Sequence, residues 1–315
     1  MKKKDLGWFV LSFFLVLFIS SCSHKETDVI NSDKAQVVTS IFPVYEIVRE
    51  VAGEQAEVHL MVGPGEDAHH YEPSAKDITM INESDTFIYS SNEMEFWASD
   101  TLKVVENENL SIIQLADEID LEIKEDTTVQ KEKKHDHSHH HKGMDPHFWL
   151  DPLAISKEVP IITKVLSEID PTNKDQYETN GENFISQLKK LHNDYEESFD
   201  GAKNRNFVVQ HKAFGHLANR YDLKQFSVGG LSTEVEPNPR DLINIIDFVR
   251  ENNIKVIFYQ SGNTSAIAET IAKETGAEST VLYDLENKPE EIEADENYYI
   301  ETMYHNLEEL KKAIH

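Results

Sequence analysis

Short apolar runs rich in β-branched and aromatic residues alternate with helical-period stretches along most of this chain. Around Val37 to Ser40 the sequence is strand-like, after which Val44, Ile47, Val48 and Val51 recur at helical spacing and Gly53 supplies a stop. The alternation continues through AEVHLMV, SAKDITMINES, DTFIYSS and SIIQLA, which read as strand, helix, strand and strand. Downstream, NFVVQH, KQFSVGG, VIFYQS and STVLYDL read as four further strands, with helical stretches NPRDLINIIDFVRENN and SAIAETIAKETGA between them. Such alternation predicts α/β structure with largely parallel sheets in both halves.

Two helical patterns lie between the halves. DPLAISKEVPIITKVLSEID predicts a helix kinked or restarted near Pro160, because proline lacks the N–H that a helix interior requires. From Pro171 to about Phe199, Tyr177, Phe184, Leu188, Leu191 and Tyr195 mark one long amphipathic helix, placed to connect two lobes.

The pattern fails at two places. Residues 1–21 carry Lys2, Lys3 and Lys4 ahead of an apolar stretch from Leu6 to Ile19, shorter than the roughly 20 residues a membrane span needs, and so predict a signal peptide. ISSC then ends in Cys22, the only cysteine, and resembles the lipobox of bacterial lipoproteins; lipidation accounts for a lone exported thiol. Residues 22–36 read as a lipidated N-terminus and flexible tether. The second break is the polar stretch from Asp120 to Gly143, expected to be a loop or disordered insertion, with its His-rich part at 126–143 containing His135, His137, His139, His140 and His141.

A formal net charge of −28 makes nucleic acid an improbable partner and cations more natural ones. No Walker or dinucleotide glycine fingerprint follows any predicted strand. Instead, isolated histidines fall after strands, where open parallel sheets bind ligands: His69 and His70 in GPGEDAHHYEPSAKD, His147 in MDPHFWLDP, and His211 with His216 in NFVVQHKAFGHLANRY. Three neutral imidazoles on separate loops suit Zn²⁺, whereas Mg²⁺ or Ca²⁺ would need more carboxylates.

Cys22, DAHHYEPSAKD, the His-rich run, DPHFWLDP, VVQHKAFGHLANRY and VEPNPRDL, taken in order, resemble the zinc-specific solute-binding lipoproteins of bacterial ABC importers, the metal-binding cluster A-I family. The resemblance covers nearly the whole mature chain. It implies two Rossmann-like α/β lobes, at 37–170 and 201–315, joined by a long rigid linker helix at 171–200, with one metal in the cleft. It selects His69, His147 and His211 as ligands, with His70 and His216 as substitutes. The fourth family position aligns with Gln260, where zinc binders usually carry Glu and manganese binders Asp. A water, Gln260, or a carboxylate such as Glu66 or Asp67 is expected to complete the site in that order, and Mn²⁺ is disfavoured.

On this reading the chain is a monomeric, lipid-anchored, extracytoplasmic zinc-capture protein that serves a membrane permease and a separate ATPase. The His-rich run is too polar to be preorganised and is expected to collect metal for the cleft from nearby. A zinc hydrolase is the alternative, since catalytic zinc also presents three ligands and an open position, but no HExxH occurs. Adhesion to a host is a secondary role that the resemblance allows.

Overall fold

The computed structural model describes residues 33–118, 145–229, 239–260, 266–287 and 297–315. Cys22, residues 1–21 and the histidines at 135, 137, 139, 140 and 141 lie outside them.

In the first lobe, β1 (Ala35–Thr39), β2 (Ala56–Leu60), β3 (Thr86–Tyr89) and β4 (Ser111–Gln114) form one sheet in the order β2-β1-β3-β4. Every pairing is parallel, with Val37 opposite Val58 on one side and Thr86 on the other. The central strand is buried throughout, as a strand covered on both faces must be. Helix α1 (Phe42–Ala52) buries the predicted Val44, Ile47, Val48 and Val51. Helix α2 (Ala75–Asn82) starts with a capping box in which Ser74 and Asp77 satisfy each other's backbone N–H groups. A short helix α3 (Ala98–Leu102) follows β3.

Between β3 and α3, the carboxylate of Glu95 is wholly buried and ties two strand ends together. It accepts hydrogen bonds from Ser40 Oγ after β1 at 2.5 Å, and from the Ser90 and Ser91 N–H groups after β3 at 2.9 and 2.8 Å. Burial pushes this carboxyl up to about 7, against the pull of those donors.

Helix α4 (Pro152–Ile169) is one continuous element with Pro160 inside it, not a restarted pair. Pro160 is exposed, so the helix carbonyl that loses its donor lies on the wet side. Asp151 caps its start by accepting the Leu153 N–H at 3.0 Å. The expected long helix is α5 (Lys174–Phe199), which buries Tyr177, Phe184, Leu188, Leu191 and Tyr195 against α1, α4 and the second lobe. At Gly181 a Cβ would stand 2.5 Å from Thr163 Oγ1, so this glycine sets how closely α5 approaches α4.

The second lobe repeats the plan. Strands β5 (Asn206–Val209), β6 (Lys224–Ser227), β7 (Val256–Tyr259) and β8 (Glu278–Val281) form a parallel sheet in the order β6-β5-β7-β8. Helices α6 (Gly215–Arg220), α7 (Pro239–Glu251), α8 (Ala266–Thr275) and α9 (Tyr298–Ala313) accompany it. Helix α9 is not among the predicted elements; it packs on α5, where Tyr195 donates its hydroxyl to Met303 O at 2.7 Å. In each sheet the strand order reverses between the two central strands; His211 follows the central strand β5, whereas His69 follows the edge strand β2. Among the described residues no helix is long and apolar enough to cross a membrane.

Candidate metal centre

Four side chains from four separate turns converge between the lobes: His69, His147, His211 and Glu286 each offer a ligand atom, all within 4.8 Å of one another. His69 sits on a single 3-10 turn, Ala68–His70, after β2. Asp67 caps that turn by accepting the His69 N–H at 2.8 Å, and Glu66 accepts the Gly63 N–H at 2.7 Å. Both carboxylates named as completing groups are thus spent on shaping the loop. His70 points away, half exposed beside Asp67.

His147 lies just ahead of the 3-10 turn Phe148–Leu150 and is wholly buried. Its Nδ1 stands 2.6 Å from Asp145 Oδ1, which also accepts the His147 backbone N–H at 3.1 Å. Burial pushes the Asp145 carboxyl up, but the His147 charge and hydrogen bond override it and hold the group below its usual range. An ionised Asp145 fixes the proton on Nδ1 and turns Nε2 toward the cluster. Gly215 admits this carboxylate, since a Cβ there would meet Asp145 Oδ2 at 2.3 Å.

His216 is not among the converging groups. From α6 it donates Nε2–H to the Asp145 carbonyl at 2.8 Å, so it supports the segment that carries His147. About one helical turn further on, Arg220 grips Asp151 with Nε and Nη2 at 2.6–3.0 Å, fastening the second lobe to the start of α4.

His211 follows β5, and its Nε2 lies 2.6 Å from Glu286 Oε1. The same oxygen is 2.9 Å from His147 Nε2 and 3.5 Å from His69 Nε2. These two Nε2 atoms are buried and make no well-formed hydrogen bond among the described residues. Adjacent ligands of a tetrahedral zinc with bonds of about 2.0–2.1 Å stand roughly 3.3 Å apart, close to these separations. The donor set of three imidazoles and one carboxylate therefore fits a borderline-soft divalent cation.

Without metal the cluster balances its own charge. Burial disfavours ionisation of Glu286, yet His211, His147 and His69 hold it well below the usual carboxylate range. Burial likewise opposes a charge on His147, but Asp145 and Glu286 push it up to about 10, and Glu286 raises His211 in the same way.

The acidic group that converges with the three imidazoles is Glu286, which the sequence expectation does not name. Gln260 is buried after β7, close to His211 and Asp284. Glu286 was missed because STVLYDL reads as one strand, whereas β8 ends at Val281 and the chain turns back through Leu285, whose φ is +64°. The available signal was the Asp-Leu-Glu run immediately beyond the last strand.

Residues 37–313 match the ZnuA family model, described as zinc-uptake complex component A, periplasmic. The chain is 37% identical to the zinc-binding lipoprotein AdcA of Streptococcus pneumoniae R6, covering 99% of this chain and 61% of that protein. It thus spans less than two thirds of the AdcA length. It is 34% identical to the high-affinity zinc uptake system protein ZnuA of Bacillus subtilis 168, covering 100% of this chain and 99% of the relative. The Zn(II)-bound ZnuA-like domain of S. pneumoniae AdcA superposes with a TM-score of 0.74 at 35% identity, over 89% of this chain and 98% of that domain. The chain belongs to the ZnuA family of zinc-uptake components.

Proposed function

We propose that this protein captures Zn²⁺ outside the cytoplasm on His69, His147, His211 and Glu286 and delivers it to a membrane permease driven by a separate ATPase. The convergence of these four groups carries the reading. Zinc is cargo here, so the site must hold it selectively and also let it go; contact with the permease that favours a looser cleft would supply the release. A lipid on Cys22 would keep the protein at the membrane surface beside that permease, as the lipoprotein relative AdcA supports.

A hydrolytic zinc centre keeps an open position for water. Here the Glu286 carboxylate stands where that water would be, among the imidazoles, and so serves as a ligand and not as a general base. The His-rich run from His135 to His141 is the auxiliary element in this scheme, tethered close enough to His147 to raise the local metal concentration.

Zinc titration with measured stoichiometry tests the reading, using the wild type, a variant lacking His135 to His141, and His147→Ala. One tight zinc that survives the deletion and is lost in His147→Ala supports it. Tight binding that follows the deleted run instead would overturn it.

A further inference from the structure

Glu286 reaches the cluster through a turn that the backbone does not favour. Leu285 has φ +64° and is buried, and a leucine in the left-handed region persists only where its surroundings over-determine it. The two residues before it are held by hydrogen bonds from two directions. Asn306 on α9 accepts the Tyr283 N–H through Oδ1 at 2.9 Å and donates Nδ2–H to the Tyr283 carbonyl at 2.7 Å. Trp149 donates its indole N–H to the Asp284 carbonyl at 2.7 Å. Asp284 Oδ1 then accepts the Glu286 N–H at 3.2 Å.

Trp149 is itself fixed from α9, because the Tyr299 hydroxyl donates to the Trp149 carbonyl at 2.6 Å. It also stands two residues after His147, with its ring edge-on to that imidazole at 5.3 Å between centroids. One side chain therefore links the segment carrying His147 to the segment carrying Glu286.

We propose that Trp149 and Asn306 are positioning residues, which hold the left-handed turn at Leu285 so that the single anionic ligand stays aimed at the three imidazoles. The inference rests on the metal-binding reading above. If the clamp is cut, Leu285 relaxes toward negative φ and Glu286 swings off the cluster, leaving three nitrogen ligands. Because Trp149 touches both segments, the spacing between His147 and Glu286 is set within the protein before any cation arrives, which favours a small tetrahedral ion.

The test is a double-mutant cycle on zinc affinity with Trp149→Phe and Glu286→Gln, accompanied by visible spectra of the Co²⁺ form and thermal unfolding of the zinc-free form. Trp149→Phe keeps an aromatic ring but removes the donor together with part of the buried indole. It is expected to weaken zinc about tenfold in the wild-type background and less than twofold when Glu286 is already Gln, and to alter the Co²⁺ spectrum as Glu286→Gln does. Equal weakening in both backgrounds, or an unchanged spectrum, overturns the proposal. Tyr299→Phe, which frees the Trp149 carbonyl without touching either ligand, carries the same cycle should Trp149→Phe not fold. A wild type that binds no tight metal would instead refute the proposed function.

Discussion

Asp145 Oδ1 lies 2.6 Å from His147 Nδ1, and through that contact a residue that touches no cargo decides which imidazole nitrogen faces the cluster. Asp145→Asn keeps an oxygen for the backbone N–H but cannot enforce the Nδ1 proton. Losing such a partner typically costs 10–100-fold in metal affinity, and a loss within about that range is expected here by competition against a chelator. Unchanged affinity would show that His147 orients itself.

In the proposed site Glu286, rather than Gln260, offers the fourth ligand atom. Glu286→Ala should weaken zinc binding by more than the roughly 100-fold ceiling for supporting residues, while Gln260→Asn should stay within a few-fold. The same titration on both variants checks this, and the reverse order of effects would return the fourth place to Gln260.

Glu95 gives the zinc-free protein a predictable pH dependence. Its carboxyl is raised by burial to about 7, so the native state keeps a proton that the unfolded chain releases at about 4.5. The stability this group contributes is therefore fully present below the unfolded value and falls as pH rises toward 7, by at most about 3 kcal/mol. Glu95→Gln cannot titrate. Urea unfolding of both proteins from pH 4.5 to 7.5 should show the wild type losing stability relative to the variant as pH rises; parallel profiles would contradict the assignment.

Arg220 holds Asp151 across the lobes with a planar two-point grip. Arg220→Ala leaves a nearly buried carboxylate short of its partner and is expected to destabilise the zinc-free protein by about 1–3 kcal/mol, the arginine being partly exposed. Arg220→Lys should recover only part of that loss, because an ammonium cannot match the fork. Urea unfolding reads both.

Much of this architecture could be read from periodicity. Val44, Ile47, Val48 and Val51 gave α1, and the apolar row from Tyr177 to Tyr195 gave α5, because both faces are buried by single, uninterrupted surfaces. Three site histidines were legible since each falls just after a strand or before a helix. Helix α9 was not read from its sequence, although Tyr299, Met303, Leu307 and Leu310 share a face; its many charged and polar residues mask the stripe. Glu286 was hidden for a different reason. Its place depends on a left-handed leucine and on hydrogen bonds from Trp149 and Asn306, which lie 135 residues before and 23 residues after the backbone groups they hold. No local pattern records contacts of that range.

Anomalous diffraction at the zinc absorption edge, on crystals of the zinc-loaded protein, locates the ion and its ligands together. A cleft peak is expected about 2.0–2.2 Å from Nε2 of His69, His147 and His211 and from one Glu286 oxygen. A cleft without a peak, or an ion there that Glu286 does not touch, would contradict the proposed site.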